Sequence, residues 1–105
     1  MDQGTNEIIK QFVFEVAKQT QGFVKAYLFG SYAKNSENDD SDIDIALIFK
    51  DLSIQEKFDF QVRMMLLASA YDVRIEPHPF SVQDFTNDNP FVFEIKKTGI
   101  ELTIN

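Results

Sequence analysis

Apolar residues along this chain recur in two rhythms, one helical and one extended. Ile8, Ile9, Phe12, Val13, Val16 and Ala17 repeat at helical spacing, which predicts an amphipathic helix over residues 6–19 that ends near Gly22. Residues 23–30 (FVKAYLFG) and 43–49 (IDIALIF) are short β-branched and aromatic runs and read as buried strands, with a short helix at Tyr32 to Asn35 between them. Ser53 with Glu56 forms a capping-box signal for a second long helix, whose expected buried stripe is Phe58, Val62, Met65, Leu66 and Ser69. The run Met64-Met65-Leu66-Leu67 reads as core rather than as a binding groove. Residues 71–76 (YDVRIE) alternate and read as a third strand, stopped by Pro77 and Pro79. Asn89-Pro90 starts and Gly99 stops a last helix over 90–98, with Lys96 and Lys97 near its negative end, and IELTI closes the sheet or packs beside it. The order α-β-α-β-α-β-α-β places the chain in the α/β (α+β) class as one domain over residues 1–105.

Composition narrows the function. A net charge of −7 comes without any basic stripe, which argues against a long nucleic-acid backbone as partner. The absence of cysteine removes disulfides, thiolate metal sites and a thiol nucleophile. No run approaches membrane-spanning length and the N-terminus lacks a basic start followed by an apolar stretch, so a cytoplasmic protein is expected. Eleven phenylalanines without a tryptophan suggest rings filling the space between sheet and helices.

Candidate chemistry concentrates between the first two strands. Gly30-Ser31 sits where a strand turns into a short polar helix: glycine lets the backbone approach closely, and the first N–H groups of the next turn can point at an anion. Asp42 and Asp44 are two apart on a strand, so they project from one face, roughly 6–7 Å apart at the base for a rise of ~3.3 Å per residue. They can converge on one divalent cation or bracket two, the arrangement used for phosphoryl and nucleotidyl transfer. Glu37, Asp39, Asp40, Asp42 and Asp44 crowd together with no Lys or Arg among them; solvation accounts for the first three, less well for the two that abut a buried strand.

Taken together, GSYAKNSENDDSDIDIALIF resembles the G-S-x10-D-x-D signature of the nucleotidyltransferase superfamily that includes DNA polymerase beta and kanamycin nucleotidyltransferase, and within it the minimal nucleotidyltransferases. Asn35 departs from the pattern, standing after Lys34 where many relatives have glycine; asparagine also tolerates positive φ, so the turn is expected to be kept. The resemblance implies a small mixed sheet with helices packed chiefly on one side. It also implies a metal-dependent transfer of a nucleoside monophosphate, AMP from ATP in the first instance or another NTP, to a hydroxyl, with two Mg²⁺ ions or Mn²⁺ in their place. At this length there is no room for finger and thumb subdomains, so templated synthesis is not expected.

Relatives use a third carboxylate on a neighbouring strand as metal ligand and proton acceptor. Asp72, Arg74 and Glu76 share one face of the expected third strand, so any of them could reach the Asp42/Asp44 face. Asp72 is preferred, because Tyr-Asp-Val looks like the family's apolar-Asp-apolar strand, and Glu76, with its longer reach before two prolines, is the rival. Gly30 and Ser31 would hold the terminal phosphates. Arg74 would stabilise triphosphate charge or brace a flanking acid, His78 and Lys34 being weaker candidates. So small a domain leaves little surface to enclose an acceptor, and a second subunit or partner should help form the pocket. The resemblance implies a HEPN-type protein as partner, the transferase acting as its antitoxin. A non-catalytic nucleotide- or partner-binding module of the same fold is the alternative, and small-molecule adenylylation, as of an aminoglycoside, a third reading.

Overall fold

In the computed structural model, residues 3–38 and 41–103 are described, so Asp39 and Asp40 of the acidic loop lie outside the described residues. Helix α1 (Gln3–Gln19) leads through a turn at Gly22, with φ of 86°, into β1 (Phe23–Phe29). A single 3₁₀ turn, Gly30–Tyr32, follows. Then come β2 (Ile43–Phe49), α2 (Ile54–Ser69), β3 (Ile75–Ser81), α3 (Pro90–Thr98) and β4 (Ile100–Leu102). The four strands form one sheet in the order β3-β2-β1-β4. β1 pairs antiparallel with β2 and β4, whereas β2 and β3 run parallel, so the sheet is mixed as expected.

Strand alternation divides the interior into two layers. Ala26 and Leu28 of β1 with Ile43, Ile45, Leu47 and Phe49 of β2 face α1 and α2, meeting Ile9, Phe12, Val13, Val16, Phe60, Met64 and Ala68. The opposite face, Phe29, Ala46, Ile48 and Phe80, packs on Phe85 and on Val92 and Ile95 of α3. β2 is therefore covered on both sides, which explains its uninterrupted apolar run. The two long helices lie on one face and the short α3 lies on the other.

Two expectations need correction. The third strand spans Ile75–Ser81 rather than 71–76, and the two prolines lie inside it instead of ending it. β3 is an edge strand, and its ladder to β2 runs through the even positions: Arg74 O accepts from Ile43 N at 2.8 Å, and Val82 N donates to Phe49 O at 2.8 Å. Pro77 and Pro79 occupy odd positions turned to the free edge, where a missing N–H costs no ladder bond. Pro77 O there accepts from Gln61 Nε2 of α2 at 2.6 Å.

The second correction concerns α2. Its capping box forms as expected, Glu56 N donating to Ser53 Oγ and Ser53 N to Glu56 Oε1, both at 3.2 Å. The buried side is Phe60, Met64 and Ala68, whereas the expected stripe Phe58, Val62, Met65, Leu66 and Ser69 faces solvent. α2 carries two apolar faces, and helical periodicity alone does not say which meets the sheet. Neighbouring methionines provide a direct check: Met64→Ala should cost about 2–5 kcal/mol in urea unfolding, while Met65→Ala should cost under about 1 kcal/mol.

Candidate active site

The residues of interest meet at the end of the sheet where β1 finishes. Register places Phe29 opposite Asp44 and Asp44 opposite Glu76, so three neighbouring strands contribute one row. Asp44 lies on the α3 side of β2, between the inward-facing Ile43 and Ile45. Single ligand atoms from Asp44, Glu76 and His78 lie within 4.8 Å of one another, a group that could hold a metal ion. His78 Nε2 is 3.1 Å from Asp44 Oδ1. Its ring is set edge-on against Phe29 at 5.0 Å between centroids, with Phe91 of α3 at 6.3 Å. Aromatic packing thus fixes the imidazole that touches the Asp44 carboxylate.

Gly30 closes the site from above. Its φ of 76° lies in the left-handed region, and a Cβ built there would stand 2.6 Å from Asp44 Oδ2. Both facts require glycine: one is backbone conformation, the other is room for the carboxylate. After the 3₁₀ turn, Lys34 N donates to Gly30 O at 3.2 Å and Ser36 N to Ser31 O at 2.9 Å. Asn35 takes φ of 57°, the positive value anticipated for the residue replacing glycine. Ser31 is half-buried beside this turn.

Asp42 is exposed just before β2 and stands outside the three-residue group. Asp72 is elsewhere. It precedes β3, and its carboxylate is engaged by one arginine: Oδ1 accepts from Arg74 N (2.9 Å) and Nε (3.0 Å), and Oδ2 accepts from Nη2 (2.8 Å). Arg74 Nη1 also donates to Tyr32 OH at 2.7 Å, tying this turn to the 3₁₀ turn. Asp72, Arg74 and Glu76 therefore do not share a strand face. Hydrogen bonds from Arg74 hold the Asp72 carboxyl below the usual range, outweighing the upward push of burial.

A cleft of about 240 Å³ borders Gly30 between Phe29, Lys34, Phe91 and Glu94, while a roomier hollow of about 520 Å³ lies along α1 at Lys10, Phe14 and Tyr71, away from the carboxylates. Among the described residues, no helix is long and apolar enough to cross a membrane.

The model of the polymerase beta nucleotidyltransferase family matches residues 11–105. The chain belongs to that family. Relatives of this nucleotidyltransferase extend the match. A candidate protein adenylyltransferase from Methanocaldococcus jannaschii is 26% identical over 98 residues, covering 91% of this chain and 96% of that protein. Among solved structures, a candidate nucleotidyltransferase from Sulfolobus solfataricus superimposes with a TM-score of 0.60 at 24% identity, over 91% of this chain and 75% of its own. A toxin-antitoxin structure with AMP-PNP gives 0.64 at 21% identity, over 91% and 73%. A complex of a tri-AMPylated Shewanella oneidensis HEPN toxin with its MNT antitoxin gives 0.60 at 20% identity, over 94% and 72%. These structures share the fold.

Sequence reasoning singled out Gly30, Asp44 and Glu76 but gave His78 little weight. Its signal was period-2 spacing from Glu76, hidden by the assumption that the prolines end the strand. Two outcomes test the geometry. Gly30→Ala should lower stability by about 1–3 kcal/mol through left-handed strain and displace the Asp44 carboxylate, read by urea unfolding and by the loss of any Mn²⁺ binding. Asp72, with its lowered value, contributes stability that is present above its unfolded pKa and lost as pH falls through the folded one. The difference in unfolding midpoint between the native chain and Asp72→Asn should therefore be full at pH 6 and shrink below about pH 4.

Proposed function

We propose that the chain transfers AMP from ATP to a hydroxyl of another protein, with a divalent cation, Mg²⁺ or Mn²⁺, held by Asp44 and Glu76 and completed by Asp42 and His78. The observation that carries this reading is the direct parallel pairing of Asp44 with Glu76 beneath a glycine turn that leaves room for the Asp44 carboxylate. An oxygen-rich set with one imidazole suits a hard or borderline divalent ion. When bound, such an ion offsets the charge of the triphosphate and orients its α-phosphorus.

The chain's own residues supply the rest. Gly30 and Ser31 present the turn against which the terminal phosphates lie. The acceptor hydroxyl oxygen forms the new bond to the α-phosphorus as the bond to the bridging oxygen breaks and pyrophosphate departs. The hydroxyl proton passes to a carboxylate, for which Glu76 is the candidate. The rings of Phe29 and Phe91 hold the His78 imidazole beside Asp44. Asp72 is assigned a bracing role through Arg74 and Tyr32 instead of a place at the reacting atoms.

Similarity to a candidate protein adenylyltransferase and to the antitoxin of an AMPylated toxin complex favours a protein acceptor over a small molecule. The AMPylated HEPN toxin bound to a protein of the same fold is one acceptor of this kind, and a HEPN-type partner is the first to test.

Thermal melts with Mn²⁺ alone and with Mg²⁺-ATP should show stabilisation by mass action in the native chain, retained in Asp72→Asn and lost in Asp44→Asn and Glu76→Gln. In transfer of α-labelled AMP to a co-encoded HEPN-type protein, Glu76→Gln should fall by about 10²–10⁴-fold. Full activity in Glu76→Gln alongside an inactive, folded Asp72→Asn would overturn the assignment.

A further inference from the structure

The outward face of α2 is apolar and no described residue covers it. Ile54, Phe58, Val62 and Leu66 follow at spacing of four on the side opposite Phe60, Met64 and Ala68, and they are 86, 75, 42 and 68% exposed. Met65, half exposed, flanks the row. Single exposed apolar residues are ordinary, but this continuous row presents on the order of 600 Å² of apolar surface, at the upper end of what a soluble monomer leaves bare. It approaches the ~800 Å² that each side contributes to a standard protein interface.

We propose that this face is the contact between two copies of the chain, packed with their α2 helices antiparallel about a two-fold axis at Val62. Three observations select a second copy as the occupant. The first is the order of residues. Antiparallel pairing about Val62 sets Phe58 against the partner's Leu66, two large apolar side chains, and Ile54 against the partner's Ala70 at the helix cap, and each contact occurs twice as an isologous contact requires.

The second observation is charge. The chain carries −7, yet α2 balances Glu56 and Asp59 with Lys57 and Arg63, so a like-charged copy meets no net repulsion there. A basic partner would be drawn to the acidic surface elsewhere. The third is position: α2 packs on one face of the sheet, and Asp44, Glu76 and His78 cluster with Phe29 and α3 on the other. Pairing through α2 leaves both sites open, and antiparallel helices also oppose their dipoles favourably. The inference is independent of nucleotidyl transfer.

Sedimentation velocity at high micromolar concentration tests it. The native chain should sediment as two chains, and Phe58→Glu with Leu66→Glu as one, with dimerisation weakened at least about tenfold and the circular dichroism unchanged. The chain has no cysteine, so single cysteines report proximity cleanly. Val62→Cys, on the axis, should join two chains under mild oxidation, whereas Phe14→Cys on the exposed side of α1 should not. A single-chain mass for the native protein, or a dimer that survives both glutamates while Val62→Cys fails to cross-link, would overturn the proposal. So would a native monomer that loses capture of a HEPN-type protein on the glutamate substitutions, which would assign the face to that partner.

Discussion

Parallel pairing between β2 and β3 is the constraint on which the site depends. It puts Glu76 directly beside Asp44, and two residues further along it puts His78 beside Ala46, where the ring can turn back to the Asp44 carboxylate. A slip by one residue would send Glu76 and His78 to the α2 side of the sheet and bring Pro77 to the ladder, where it has no N–H to donate. The prolines therefore do more than tolerate their positions: they allow one register and exclude the adjacent ones. The Arg74 pair with Asp72, extended to Tyr32, anchors the chain just before the strand begins and ties it to the turn that carries Gly30.

How much of this could be read beforehand follows from how local each signal is. The β1-turn-β2 unit was legible because its parts are set by short-range chemistry: a buried run, a glycine needing left-handed backbone, and an aspartate flanked by core isoleucines. The capping box of α2 and the Asn89 start of α3, where Asn89 Oδ1 accepts from Phe91 N at 2.9 Å, were legible for the same reason. The bounds of β3 were not, because whether proline ends a strand depends on which side of it meets a neighbour, a fact of tertiary order. A third strand over 71–76 favours Asp72, whereas the observed strand sets Glu76 and His78 beside Asp44 and leaves Asp72 paired with Arg74. The α2 stripe failed differently. Its periodicity was real, but the sheet took the opposite face, since Phe60 and Met64 fill the layer beneath Phe49 and α1.

A shared logic joins the two faces of the molecule. Burial on both sides makes β2 the rigid centre, and Asp44 is a carboxylate set between its core residues at the one end where side chains from β1, β3 and α3 all converge. Carboxylates gathered there repel one another unless a cation or a hydrogen-bond donor intervenes, and His78 supplies one such contact. Family membership makes this group of two carboxylates and an imidazole the candidate place for nucleotide chemistry.

Crystals grown with Mn²⁺ and a non-hydrolysable ATP analogue would show where the cation sits, because anomalous scattering locates it without reference to activity. A peak is expected at bonding distance from carboxylate oxygens of both Asp44 and Glu76, with Asp72 still paired to Arg74. A peak held by Asp72 with Glu76 turned away, or nucleotide bound with no cation at Asp44, would rule out the Asp44–Glu76 site.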